Sequence, residues 1–151
     1  MEEKVLEEEK TYTHDKIFLD TNILLYAHDL DAGIKYTRAQ QVVADLWESG
    51  RGVLSAQVLE EFYVNVTRKI PKPLSKSEAR DIINQYIAWG PVPIEGNLVI
   101  EASDIEERHQ LSFWDALIIA AAKAGGASAV FTENITHNQT IEGVRIQNPL
   151  R

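Results

Sequence analysis

Three acidic side chains lie at positions where an α/β protein can carry out chemistry. Asp20 follows a short apolar run rich in strand-forming residues, and Asp115 falls at the third position of a helix that Ser112 could cap. The third acid is Glu60 or Glu61, both on one helical segment. If these carboxylates meet at one edge of a sheet, they form an oxygen-rich site suited to Mg²⁺ or Mn²⁺.

The two aspartates also have structural explanations. Both could cap helices or complement the positive end of a helix dipole. A phosphoaspartyl hydrolase would carry a second aspartate two residues after Asp20, where this chain has Asn22, so a ligand role is favoured over a covalent one. Asp115 stands beside Phe113, Trp114 and an apolar run, and a partly buried carboxylate usually needs a cation or hydrogen-bond donors.

Periodicity does not choose between Glu60 and Glu61. The buried stripe of their helix consists of apolar residues at helical spacing, namely Val58, Leu59, Phe62 and Val66. Both glutamates lie at similar angles from its centre, on opposite flanks. Either could be an ordinary solvated glutamate, so the choice stays open on these grounds.

Other catalytic classes lack their residues. The chain has no cysteine, which excludes disulfides, thiolate zinc sites and cysteine nucleophiles. Its four histidines show no zinc-binding spacing. There is no glycine-rich phosphate loop and no Gly-x-Ser-x-Gly elbow, so P-loop nucleotide hydrolysis and serine hydrolysis have no support.

Composition indicates one acidic globular domain. The 151 residues are 44% hydrophobic, with a net charge of −8 and a pI near 5.0. Residues 1–15 hold six acidic and two basic residues, so we expect an acidic N-terminal extension followed by a folded domain at 16–151. The longest apolar run, 116–122, is far shorter than the ~20 residues of a membrane helix. No signal peptide is apparent, and we expect a cytoplasmic protein.

One basic cluster exists within the acidic chain. It contains Arg68, Lys69, Lys72, Lys76 and Arg80, with only Glu78 among them. The overall charge argues against a simple basic nucleic-acid binder. The cluster is either a solvated surface or a contact for phosphates.

Short apolar strands alternate with helices after residue 16. Strands are predicted at 17–19, 53–54, 92–94, 129–131 and 144–146, and helices at 23–27, 36–49, 56–69, from Ser75 or Ser77 to 87, 97–109 and 113–123. This pattern predicts an α/β fold, a small parallel sheet flanked by helices. Reactive groups gather at the carboxyl ends of parallel strands, which singles out Asp20 and residues 132–134.

Four segments stand out along the chain: IFLDTNILLYA at 17–27, QVLEEFY at 57–63 running on to TRK at 67–69, LSFWDALI at 111–118, and FTEN at 131–134 with GVRI and NP after it. Together they resemble the PIN-domain nucleases, in particular the VapC-type toxins of toxin–antitoxin pairs. The similarity covers residues 16–150, in order and with family-like spacing. One such motif is weak evidence, whereas four in order are specific.

The resemblance implies a divalent-metal-dependent endoribonuclease with a single PIN-like domain. Mapped residue by residue, Asp20, Glu61 and Asp115 match the acidic triad that binds Mg²⁺, or Mn²⁺, and carries the catalysis. Glu61 is preferred over Glu60 because the family's acid directly precedes the position of Phe62.

Further positions follow from the same resemblance. Asn22 and Ser112 match residues that support the site, and Arg68 and Lys69 could hold the RNA backbone. A cognate antitoxin protein that places a basic side chain against the acids, and a homodimer, are the expected partners; no membrane association is expected.

The last motif departs from the family. The fourth acid is expected where this chain has Asn134, so Thr132, Glu133 and Asn134 are supporting candidates, and Glu133 could supply the acid from the neighbouring position. An amide weakens cation binding relative to a carboxylate. A metal-poor module that binds RNA or protein without cutting is therefore the alternative, and a structure-specific DNA nuclease using the same acids is a third.

Overall fold

The computed structural model describes residues 15–151, so all but the last residue of the expected N-terminal extension lies outside the described residues. Five strands form one sheet: β1 (Lys16–Leu19), β2 (Gly52–Val53), β3 (Ala127–Phe131), β4 (Thr140–Ile141) and β5 (Val144–Gln147). Their order is β2-β1-β3-β5-β4, and all neighbours are parallel except the antiparallel pair β4–β5.

Six α-helices flank the sheet within the described residues. They are α1 (Thr21–Tyr26), α2 (Ile34–Ser49), α3 (Ala56–Arg68), α4 (Lys76–Tyr86), α5 (Gly96–His109) and α6 (Phe113–Ala124). Two 3₁₀ turns, Leu30–Ala32 and Ile87–Trp89, follow α1 and α4. The predicted α/β architecture, a mostly parallel sheet between helices, is confirmed.

Helix starts follow the capping residues in the sequence. The hydroxyl of Ser55 accepts a hydrogen bond from the N–H of Val58 at the start of α3, which satisfies one free amide of the first turn. Ser75, rather than Ser77, begins α4, in a complete capping box with Glu78. Capping chemistry therefore decides where these two helices begin.

The core is built around α6. Residues 116–122 are all buried, because this apolar helix packs against both α5 and β3. On β1, Phe18 and Leu19 are fully buried, as expected for a central strand covered on both faces. No helix within residues 15–151 combines the length and apolar character needed to cross a membrane.

One predicted strand was wrong and one observed strand was missed. Residues 92–94 form no strand; Val92 makes only an isolated parallel bridge to Ser55. The strand β4 has only two residues, and it was not predicted from the sequence. It is held in a hairpin whose two loop residues, Glu142 and Gly143, have φ of 54° and 80°, the left-handed pair that two-residue hairpins require.

Candidate active site

The carboxyl ends of β1 and β3 bring two predicted site segments together. The N–H of Asp20 donates to the carbonyl of Phe131 at 3.0 Å, and the N–H of Thr132 donates to the carbonyl of Gln147 at 2.9 Å. Parallel pairing therefore continues one residue beyond each strand. As a result, Asp20 and Thr132 lie side by side although 112 residues separate them in the chain.

Asp20 is buried, with 6% of its surface exposed, and both its carboxylate oxygens accept hydrogen bonds from neutral donors. The N–H of Thr21 donates to Oδ1 at 2.7 Å, and the hydroxyl of Thr132 donates to Oδ2 at 2.7 Å. Thr132 Oγ1 in turn accepts a bond from the N–H of Asn134 at 3.1 Å. These bonds fix the carboxylate's orientation but supply no positive charge.

The structure distinguishes the two glutamates of α3. The hydroxyl of Thr21 donates to Oε1 of Glu61 at 3.0 Å, because α1 packs against α3. Glu61 is half-buried, whereas Glu60 is exposed. Thr21 thus connects the segment of Asp20 to Glu61, which stands where the resemblance places the second acid.

The pKa of Asp20 depends on its burial and on the charges of Glu61 and Asp115. Its pKa is raised from 3.8 to about 6, chiefly because burial penalises the charged form. The hydrogen bonds from Thr132 and Thr21 oppose this, and the negative charges of Glu61 and Asp115 raise the pKa further. The charges of Glu61 and Asp115 thus both act on the Asp20 carboxylate, and we call these three residues the acidic triad.

Asp115 is presented by the start of α6. The hydroxyl of Ser112 caps the helix by accepting a bond from the N–H of Asp115 at 3.1 Å, as expected. The return bond of a full capping box, from the Ser112 N–H to the Asp115 carboxylate, is not formed. The carboxylate of Asp115 is therefore not committed to the helix end.

The donor chemistry of this region fits a hard divalent cation. In the part of the chain that the structure describes, no ion pair compensates any member of the acidic triad. The amide of Asn22, two residues after Asp20, is buried with neither its oxygen nor its nitrogen hydrogen-bonded. No three His, Asp or Glu side chains among residues 15–151 already converge in metal-binding geometry, so cation binding would require side-chain rearrangement.

Glu133 is engaged elsewhere. The hydroxyl of Tyr26 donates to its Oε1 at 2.5 Å, and Nζ of Lys35 lies 3.0 Å from its Oε2. Lys35 also lies over the ring of Tyr26, 4.9 Å from its centroid. The carboxylate considered as a substitute for the fourth acid is thus neutralised by a lysine, and Asn134 contributes a backbone N–H to the network of Asp20.

The basic residues proposed for RNA lie at the far end of α3. Arg68 is in the last turn and Lys69 is the C-cap, and both are exposed. Seven residues separate Arg68 from Glu61, which places them on the same helical face about 10 Å apart along the axis. A phosphate chain that reached the acidic triad could extend towards these side chains.

Sequence reasoning missed three contributors. None of Thr21, Tyr26 and Lys35 was singled out from the sequence as a site residue. The spacing of Thr21, immediately after Asp20, could have indicated a supporting role. No local pattern pairs Lys35 with Glu133, because 98 residues separate them.

Comparison with known proteins identifies the class. The PIN-domain family model matches residues 17–140, and the chain belongs to this family. Comparison with curated proteins gives no match.

Two solved structures share the fold. The VapC20 toxin of Mycobacterium tuberculosis, which cleaves the sarcin–ricin loop, is 19% identical with a TM-score of 0.58; the match covers 79% of this chain and 90% of that one. The DNA-bound VapBC of Salmonella typhimurium is 18% identical with a TM-score of 0.59, covering 89% of this chain and 98% of that one. PIN nucleases generally use divalent metal ions.

Proposed function

We propose that this protein is a divalent-metal-dependent endoribonuclease of the VapC type, the toxin of a toxin–antitoxin pair. The observation that carries the proposal is the acidic triad: Asp20 is buried, Thr21 links its segment to Glu61, and no member has a basic partner among the described residues. Like charges brought together in this way destabilise a fold unless a cation compensates them. Membership of the PIN family and the likeness to VapC20 support this reading.

Each acid of the triad has a proposed role in binding the metal ion. Asp20 and Asp115 would hold Mg²⁺, or Mn²⁺, directly, and Glu61 would hold it directly or through water. The cation would lower the pKa of a water molecule and stabilise negative charge on the scissile phosphate.

Supporting residues orient these acids. Thr132 and the N–H of Thr21 hold the Asp20 carboxylate in a single orientation, while the Thr21 hydroxyl positions Glu61. Ser112 orders the first turn of α6 and thereby places Asp115. Asn22 brings a buried amide without hydrogen-bond partners into the same region. Arg68 and Lys69 would bind the RNA backbone and make affinity sensitive to salt.

The experiment is cleavage of labelled RNA and DNA in Mg²⁺, Mn²⁺ or EDTA. We expect RNA cleavage that requires the divalent ion and is lost in Asp20→Asn, Glu61→Gln and Asp115→Asn, but kept in Glu107→Gln, a matched change at an exposed glutamate of α5. Cleavage that survives both aspartate substitutions would defeat the site assignment. Cleavage of DNA alone would favour the structure-specific DNA nuclease.

A binding module without catalysis is the second candidate. Two observations favour it: Asn134 replaces the fourth acid, and Lys35 neutralises Glu133. In this case the same assay would give RNA binding without cleavage in every metal.

We further propose a protein partner and a homodimer. A basic side chain from an antitoxin would compensate the acidic triad as a cation does, and the likeness to a VapBC complex supports such a partner. Co-purification with a small protein encoded next to this one would support the toxin role. Sedimentation of the isolated protein as a monomer at all concentrations would contradict the dimer.

A further inference from the structure

An open pocket of about 300 Å³ adjoins the acidic triad and is lined by Gln57, Glu60, Glu61 and Trp114. We call it the Trp114 pocket. Because Glu61 belongs both to this pocket and to the triad, a group bound here would lie next to the chemistry. Small-ligand pockets span roughly 300–1,000 Å³, so the volume suits a single planar group rather than a larger ligand.

Trp114 gives the pocket an aromatic wall that packing alone does not explain. It is 63% exposed at the start of α6, directly before Asp115. Phe113 meets its ring edge to face, with the centroids 5.3 Å apart, which restrains the orientation of the indole. A restrained, exposed indole is the kind of surface on which unpaired nucleobases stack.

Gln57 lines the pocket and carries a buried amide oxygen without a hydrogen-bond partner. The residue is only 7% exposed, and its Oε1 is buried with no hydrogen-bond partner. A buried polar atom without a partner costs stability unless something supplies the missing bond. Because this oxygen is buried, the Gln57 side chain would have to turn towards the pocket to accept a hydrogen bond from a ligand.

Glu60 adds two more acceptor oxygens. It is exposed on α3 and makes no ion pair within residues 15–151. A carboxylate can accept two parallel hydrogen bonds from adjacent donors. Guanine presents such a pair, N1–H and N2–H, whereas adenine and cytosine place a ring acceptor beside their amino group and uracil has one N–H between two carbonyls.

We propose that the Trp114 pocket binds a guanine base next to the phosphate that is cut. The base would stack on Trp114, and the carboxylate of Glu60 and the amide oxygen of Gln57 would accept from its Watson–Crick edge. The proposal rests on the proposed ribonuclease function and adds to it a preference for guanine near the cleavage point.

The test follows the three tryptophan indole N–H signals by NMR during titration with GMP, AMP, CMP and UMP in Mg²⁺. Trp47 and Trp89 lie together in a separate aromatic cluster and act as internal controls. We expect GMP to shift the Trp114 signal at concentrations about 5- to 150-fold lower than UMP does, the range that one bidentate base contact gives.

Two variants, each with a matched control, separate the contribution of hydrogen bonding from that of stacking. Glu60→Gln removes one of the two acceptor oxygens and should abolish the preference for GMP, while Glu107→Gln should keep it. Trp114→Ala should reduce cleavage of single-stranded RNA by about 5- to 150-fold, the range for loss of one stacked base, whereas Ile100→Ala, at a similarly exposed apolar residue of α5, should not.

Several outcomes would overturn the pocket assignment. One is an equal shift of the Trp114 indole signal with all four nucleotides, and another is a shift of the Trp47 and Trp89 signals alone. A third is that Trp114→Ala weakens antitoxin binding but leaves nucleotide binding intact. The titration does not depend on cleavage. A guanine-selective Trp114 response in a protein that never cuts RNA would therefore count against the ribonuclease proposal and support the pocket.

Discussion

Two groups of acidic residues in this protein have opposite electrostatic surroundings. In the acidic triad, Asp20 is buried and its pKa is raised to about 6, first by burial and then by the negative charges of Glu61 and Asp115. In the β4–β5 hairpin, Glu142 is surrounded by three basic side chains: Nζ of Lys123 lies 3.2 Å away, Nε2 of His109 2.8 Å and Nη1 of Arg108 3.1 Å. The pKa of Glu142 is lowered, first by the hydrogen bond from His109.

The difference is between a carboxylate that basic side chains compensate within the fold and one that has only neutral donors among the described residues. Glu142 occupies a left-handed backbone conformation that costs a non-glycine residue roughly 1–2 kcal/mol, and its basic neighbours offset that strain. Asp20 receives only neutral donors, so its charge remains available to an external cation. Three predictions test this contrast.

The largest effect should be on cleavage. Asp115→Asn should reduce metal-dependent RNA cleavage by more than about 100-fold, since even the outer partners of a metal site typically account for 10–100-fold. Glu142→Gln should leave the cleavage rate within about twofold. Single-turnover rates measured side by side test the contrast, and similar losses in both variants would remove it.

The second prediction concerns pH in EDTA. Because the folded-state pKa of Asp20 is raised from 3.8 to about 6, the protonated carboxyl favours the fold, and its contribution is complete below pH 3.8 and lost as pH rises through 6. The shift corresponds to at most about 3 kcal/mol. Asp20→Asn should therefore lose less stability than the wild type between pH 5 and pH 7.5.

Glu142 should act in the opposite direction. Its lowered pKa contributes stability that is present above 4.5 and is lost as pH falls through the folded-state value. Urea unfolding of both variants from pH 3.5 to 7.5 measures the two slopes separately. Parallel curves for the wild type and Asp20→Asn would show that burial of Asp20 carries no such cost.

The smallest effect should be on stability at neutral pH. Glu142→Gln should lower the free energy of unfolding by about 1 kcal/mol, and the loss should shrink at high salt, because salt screens ion pairs whose basic partners are partly exposed. Glu142→Gly removes the same charge but relieves the left-handed backbone, so it should be the more stable of the two. Thermal melts at low and high salt give both comparisons.

Local sequence determined much of the fold. The serine caps, the apolar period of α3 and the apolar run of α6 fix where helices form, because these signals act over one or two turns. Local sequence did not indicate β4, a two-residue strand that depends on the hairpin with β5. It failed also at residues 92–94, whose strand-like composition found only one bridging partner.

Asp20 and Asp115 could be read from the sequence because one follows a strand and the other begins a helix, whereas Glu61 followed only from the resemblance to a family. Which neighbours surround each acid could not be read from the sequence. The choice between Glu60 and Glu61 depends on the hydroxyl of Thr21, 40 residues away, and the state of Glu133 depends on Lys35. Burial and Coulomb interactions depend on distances across the fold, so only tertiary packing decides which charges are compensated and which remain exposed to a ligand.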